Sequence, residues 1–308
     1  MHVSKISILA VSAAALISLT YAQRTPEEPS WAPKPDPTKY VPPNKPHTKL
    51  TDVKAKHAGL ENWREEIVSD DLLHADYISA APGSKVSKRF HSDTREWWIV
   101  MAGKIRFEIE GQDSFIATKG SMVQVPYQTI YAMETIGDEP SLRLEVNIAH
   151  VQTLYPGSEP PPADLRINFI PVTLHRKPAP YDHGNKPHIN LYELAKNGGP
   201  KYSGQRFVHD DRGLSNIIYG YEKNMPPYDP KNRGHYHPES CEFWLIMAGQ
   251  IMYPVEGQGT IIASEGDVVY VPKFTFHAPR FYGEGPSCRL AINGYTNIAH
   301  LFEAAKPH

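Results

Sequence analysis

Apolar and polar residues alternate along most of this 308-residue chain, at the period of a β-strand rather than of a helix. Strands separated by Gly-rich turns are expected from about Tyr77 to His150, and again from Phe207 to Phe302. In the second block, 216–221 and 268–271 each read as one strand. On a strand that begins at Glu242, Trp244 and Ile246 share the inward face, because successive side chains point to opposite sides. Phe276, next to His277, then points away. Two stretches carry a helical signal. Leu60, Trp63 and Ile67 recur at helical spacing with Glu65 and Glu66 between them, which predicts a short amphipathic helix over 59–68. Asn190 is placed to cap a short helix over 191–196, stopped by Asn197-Gly198-Gly199-Pro200.

The strand pattern occurs twice. Glu96-Trp97-Trp98-Ile99-Val100-Met101-Ala102-Gly103 returns 146 residues later as Glu242-Phe243-Trp244-Leu245-Ile246-Met247-Ala248-Gly249. At the same offset Glu110-Gly111-Gln112 matches Glu256-Gly257-Gln258, and Val125-Pro126 matches Val271-Pro272. Asn147-Ile148-Ala149-His150 reappears as Asn297-Ile298-Ala299-His300, so the second copy carries four extra residues around Asn293 to Thr296. Two tandem copies of one all-β domain are expected.

The second copy holds the candidate chemistry. His235 and His237 are one residue apart, which puts both imidazoles on one face of a strand. A turn at Pro238-Glu239-Ser240-Cys241 returns the chain with Glu242, and His277 follows the next strand pair. Any one of these residues alone would read as an ordinary surface or core side chain. Together, three imidazoles and a carboxylate can surround one divalent transition metal (Mn, Fe, Co, Ni, Cu or Zn) and leave positions open for water or substrate. Such an ion is a Lewis acid, and a redox-active one also supports dioxygen chemistry.

These spacings resemble the cupin motifs. His235, His237, Glu242 and Gly249 fit the first motif, except that Gly234 directly precedes His235 where the motif has its glycine six residues back. Gly266, Pro272 and His277 fit the second, with Phe274 in place of a glycine and Phe281 in place of an asparagine. The resemblance implies a bicupin of two antiparallel jelly-roll barrels, with the metal in one barrel mouth. It is a strong signal for fold and metal and a weak one for reaction.

The first copy departs from the ligand set. His91 and Glu96 correspond to His237 and Glu242, but Arg89 stands at the place of His235 and Tyr131 at that of His277. A guanidinium cannot ligate and repels a cation, so no catalytic metal is expected there. Arg89, His91, Glu96 and Tyr131 form either a salt-bridged remnant that fills the barrel or an anion or substrate pocket.

Export is expected as well. His2 and Lys5 precede an apolar run, Ile6 to Thr20, and the small residue Ala22 ends a plausible signal sequence. The run is short for a membrane span, which leaves a secreted or periplasmic protein with no membrane span after cleavage. The expected order is a signal peptide at 1–22, a proline-rich arm at 23–56, the first barrel at 57–153, a connector at 154–205 and the second barrel at 206–303. Eight prolines between Arg24 and His47 exclude regular helix from the arm. A formal net charge of −2 gives no reason to expect nucleic acid as a partner. An oxidising compartment permits a disulfide, but Cys241 and Cys288 lie in different segments and are expected as buried free thiols.

A metal-dependent oxidoreductase of dioxygenase or oxidase type is therefore expected, acting on a small oxygen-rich molecule such as a phenol, an organic acid or a sugar derivative. Trp244, Tyr253, Arg280 and Asn293 are the candidates for the substrate pocket, and ordinary packing is the plainer role for each. A metal-dependent isomerase or lyase, or a non-catalytic metabolite-, carbohydrate- or metal-binding bicupin, is the alternative. Homodimerisation is expected only from the resemblance.

Overall fold

Strand Glu96–Ala102 is buried at all but its last position, although a strand with one face in solvent would alternate. The fold accounts for this. Trp98 and Val100 point into the first barrel and pack with Ile105, Phe107 and Ile109. Trp97, Ile99 and Met101 point the other way, into a large shared cluster. Strand Glu242–Ala248 does the same: Trp244 and Ile246 pack inside the second barrel with Ile251, Tyr253 and Val255. Phe243, Leu245 and Met247 join the shared cluster. Each of these strands thus has one face in its own barrel and one in the contact between barrels. Hydrogen bonds cross that contact, from Tyr77 Oη to Gly266 O at 2.6 Å and from Gln124 Nε2 to Phe207 O at 2.6 Å.

These relations come from a computed structural model, which describes residues 30–304 except 160, 163, 164, 166 and 198–204. The apolar run and cleavage point expected at the N-terminus lie outside the described residues. Residues 30–33 belong to a separate N-terminal unit without regular secondary structure.

Each barrel is a pair of antiparallel sheets. In the first, Glu96–Ala102 lies between Ser121–Val125 and Ser141–Ile148. The facing sheet contains Lys85–His91, Tyr131–Ile136, Lys104–Ile109 and Phe115–Thr118. In the second, Glu242–Ala248 lies between Val268–Val271 and Ser287–Asn293. Gly259–Ser264, Gln250–Val255 and Arg280–Tyr282 close it. The registers coincide at the offset seen in the sequence, since Glu96 pairs with Val125 as Glu242 does with Val271. This is an all-β pair of jelly rolls. Among the described residues no helix is long and apolar enough to cross a membrane.

The helix expected over 59–68 is a correction. The chain forms a helix earlier, at Leu50–Lys56, and Trp63–Ser69 is a strand paired with Leu73–Ala80. Trp63 and Ile67 lie four residues apart on one face of this strand, a spacing that fits a period of two as well as a helix turn, and a β-bulge between Glu66 and Val68 buries Val68 beside Ile67. The helix at Leu191–Lys196 forms as expected, with Asn190 Oδ1 accepting from Tyr192 N at 2.9 Å and from Glu193 N at 3.3 Å. Just before it, His188–Asn190 adds a strand beside Ser121–Val125, so this part of the linking segment belongs to the first barrel's sheet. The proline-rich arm reaches the other barrel of the same chain. His47–Thr48 pairs with Val268–Val271, and Asp267 accepts from His47 Nε2 at 2.8 Å and from Leu50 N at 3.1 Å.

Candidate metal centre

Gly234 opens the site. Its φ is +74°, and a Cβ there would lie 1.9 Å from His277 O, so only glycine lets the chain pass this close. The next residue forms a two-way bridge, His235 N to His277 O at 3.2 Å and His277 N to His235 O at 2.9 Å. That bridge fixes two imidazoles side by side. His237 follows at the strand period, and Glu242 begins the strand that runs beside them.

One nitrogen or oxygen from each of His235, His237, Glu242 and His277 falls within 4.8 Å of the other three. The backbone chooses which nitrogens converge. His237 Nδ1 donates to Ala299 O at 2.8 Å, and His277 Nδ1 donates to Thr275 O at 2.9 Å. In neutral rings these bonds leave Nε2 as an acceptor. His277 Nε2 then lies 3.1 Å from His235 Nε2 and 3.2 Å from Glu242 Oε2, and His237 Nε2 lies 3.0 Å from the same oxygen. Lone pairs aimed at one point repel unless a proton or a cation stands between them. The donor set, three imidazole nitrogens and one carboxylate, fits a divalent transition metal.

Electrostatics follow from burial. Desolvation, aided by His277, pushes His235 down to about 2, so it stays neutral. Burial also works against charge on His237, but its bond to Glu242 outweighs this and raises its pKa. Burial alone would raise the Glu242 carboxyl; the bonds from His237 and His277 hold it well below the usual range, so the site keeps one anionic ligand. A cavity of about 360 Å³ opens beside these groups, touching His235 and Glu242.

A cupin-domain family model matches residues 222–293, the segment that contains all four of these residues. The whole fold is similar to a cupin 2 conserved barrel domain protein from Leptotrichia buccalis, with TM-score 0.54 and 14% identity over 83% of this chain and 96% of that one. It is also similar to oxalate decarboxylase from Bacillus subtilis, with TM-score 0.53 and 18% identity over 86% of this chain and 80% of that one. No curated protein matches the sequence. The second barrel is a cupin domain, and the fold of the whole chain is that of cupin proteins. The left-handed position where the second motif has glycine is held by Phe274, at φ 63°, and by its counterpart Gln128, at φ 60°. Backbone bonds from Phe274 N to His237 O and from Gln128 N to His91 O hold both turns in place.

In the first barrel the four corresponding side chains bond one another. His91 Nε2 donates to Glu96 Oε2 at 2.7 Å, Tyr131 Oη donates to the same carboxylate, and Arg89 Nε donates to Tyr131 Oη at 2.6 Å. The guanidinium of Arg89 also lies 3.5 Å from both Glu96 and Glu145. Among the described residues, the only cluster of ligand-type side chains close enough to share a metal is the one in the second barrel.

The structure sorts the four expected pocket residues. Trp244 and Asn293 line the cavity. Arg280 does not: Phe281 packs into the barrel, so its neighbour Arg280 faces outward, donates to Pro226 O and lies 5.7 Å over the Tyr228 ring. Tyr253 points inward but is fully buried against Trp244, ring centroids 5.0 Å apart, outside the cavity lining. Among the cavity residues that the sequence reading missed, Arg289 and His300 bear on the chemistry. Arg289 enters from strand Ser287–Asn293, which no motif marks. His300 lies beside the cluster, its ring 4.6 Å from that of His235 and 4.7 Å from that of His237. The repeated Asn-Ile-Ala-His was the signal that could have drawn attention to this loop, although the structure aligns it differently: Gln152 O bonds His91 Nδ1 where Ala299 O bonds His237 Nδ1, so the loops differ by one residue there and not by the expected four. Cys241 and Cys288 are buried free thiols, and Cys241 Sγ donates to Asp70 Oδ2 at 2.6 Å.

Proposed function

We propose that the second barrel holds one divalent transition metal through His235, His237, Glu242 and His277, and that the protein is an exported metal-dependent oxidoreductase. Its substrate is a small oxygen-rich molecule, drawn from the phenols, organic acids and sugar derivatives. The observation that carries this is the convergence of four ligand atoms within 4.8 Å on the edge of a cavity. When bound, the metal supplies Lewis acidity, and redox chemistry if the ion is redox-active. The chain's own residues do the rest. The carbonyls of Ala299 and Thr275 hold two imidazoles in the ligating tautomer. Trp244 and Ile218 supply apolar surface to a cavity otherwise lined mainly by polar side chains. His300 bonds Ile298 O through Nδ1 at 3.1 Å, which leaves Nε2 to take or give a proton beside the substrate.

A lyase is the second reading, favoured by the likeness to oxalate decarboxylase. One experiment separates the two. The exported protein is purified, its bound metals are quantified, and oxygen uptake and carbon dioxide release are followed with a panel of phenols, sugars and organic acids. Metal with oxygen uptake supports the oxidoreductase. Carbon dioxide release without oxygen uptake supports the lyase. Bound metal without turnover leaves a binding protein, and a preparation that takes up no metal with its ligand set intact defeats the whole proposal.

A further inference from the structure

The two barrels differ at one buried acid. Glu145 pairs with Trp98 across the first sheet, and Ala291 pairs with Trp244 across the second in the same register. In the first barrel Glu145 is a hub: its Oε2 accepts from the Trp98 indole at 2.9 Å and lies 3.5 Å from Arg89 and 3.7 Å from Arg143. Arg143 corresponds to Arg289, and both are buried. Beside Arg289 the carboxylate has gone, because Ala291 ends at a methyl group. Among the described residues Arg289 has no salt-bridge partner, and its buried Nε lacks a hydrogen-bond acceptor. Arg143 Nε also lacks one, so the difference between the barrels lies in the acid.

The space that the acid vacates is the cavity. Trp244, Arg289, Ala291 and Asn293 line it together, and Asn293 Nδ2 is a second buried donor without an acceptor. Glu242 stands on the same cavity wall. A buried guanidinium remains charged and is costly to leave uncompensated. Burial works against the charge on Arg289, and the nearest favourable influences are Tyr253 and Glu242.

We propose that a ligand restores the missing acid: the cavity takes a small carboxylic acid whose carboxylate sits between Arg289 and Trp244, as Glu145 sits between Arg143 and Trp98 in the first barrel. The rest of the ligand then extends towards His235 and Glu242. This deepens the proposed function by selecting the organic acids among its substrate classes, while the anion subsite itself does not depend on a bound metal.

The test titrates metal-loaded and chelator-treated protein with glycolate and with catechol, with metal content measured on every sample. Glycolate is expected to bind the wild type saturably. Arg289→Met and Ala291→Glu are expected to weaken it at least about tenfold, the loss of one charge-assisted contact, without changing metal content. Catechol binding should be unchanged in Arg289→Met, whereas Ala291→Glu fills part of the cavity and should weaken both ligands. Ala291→Glu also supplies Arg289 with an acid from within the chain, so its melting temperature should not fall if it packs; Arg289→Met needs no new space and serves if it does not. Glycolate binding that is equal in wild type and Arg289→Met, or no glycolate binding to metal-loaded wild type, overturns the subsite and leaves the metal centre standing. Arg289-dependent glycolate binding by a protein that never takes up metal upholds the subsite and defeats the metal reading.

Discussion

Arg89 pairs with Tyr131 across the first barrel in the register in which His235 pairs with His277 across the second. One backbone bridge therefore carries a cation and a phenol in one copy and two imidazoles in the other. Replacing Tyr131 by His restores only part of a ligand set, since the Arg89 guanidinium still occupies the position of the remaining imidazole. Tyr131→His should hold the same amount of metal per chain as the wild type by elemental analysis. A doubling of the metal content would overturn this account of the first barrel.

In the second barrel, His277→Ala or His235→Ala should abolish metal uptake and leave the strand signature in circular dichroism intact. Glu242→Gln should weaken uptake, because it removes the only anionic ligand. Since metal binding requires neutral imidazoles, occupancy in the wild type should fall with decreasing pH as His237, whose pKa is raised by Glu242, takes up a proton, while His235 stays neutral. Metal retained by His277→Ala at wild-type affinity would contradict the ligand assignment.

Gly234→Ala tests the bridge without touching a ligand. The new methyl meets His277 O, and the positive φ alone costs about 1–2 kcal/mol for a residue with a side chain. Both effects pull His235 away from His277. A lower denaturation midpoint together with weakened metal uptake is expected; wild-type metal affinity would show that the close passage does not matter.

The buried ion network of the first barrel predicts a pH dependence. Burial would raise the Glu96 carboxyl, but His91 and Arg89 outweigh it and lower the pKa from 4.5 to about 2. A lowered carboxylate stabilises the fold above its unfolded value and ceases to do so as the pH falls through its folded one. The Glu96 contribution should thus be complete above pH 4.5 and disappear towards pH 2. His91 has the opposite sign: its pKa is raised from 6.5, with burial opposing and Glu96 prevailing, so its contribution is complete below 6.5 and fades as the pH rises through the raised value. Urea unfolding of wild type and Glu96→Gln across this range should show the gap between them closing in acid. A gap that stays constant down to pH 2 would contradict the assignment.

Glu145→Ala should open in the first barrel the vacancy that Ala291 leaves in the second. Removing one partner from a buried ionic cluster costs about 3–5 kcal/mol. Acetate, added as a free carboxylate, should recover part of the lost stability in a melting experiment, whereas it should do little for the wild type. Equal effects of acetate on both proteins would argue against Glu145 as the hub.

Much of this was legible in the chain. Side-chain alternation settles which residues of Glu242–Ala248 share the face of Glu242, because it follows from strand geometry alone. The repeat at constant offset implies two like domains, and His-x-His with Glu242 and His277 selects the ligand types. Local spacing could not tell a strand from a helix turn at Trp63 and Ile67, which lie four apart, because the choice is set by pairing with Leu73–Ala80. Nor could it show that Arg280 faces outward while Arg289 and His300 reach the cavity, that the carbonyls of Ala299 and Thr275 orient the imidazoles, or that an alanine replaces a buried acid beside Arg289. Each of these depends on which distant strands meet and in what register. Sequence fixes the direction of a side chain relative to its neighbours; only the closed barrel decides what it points at.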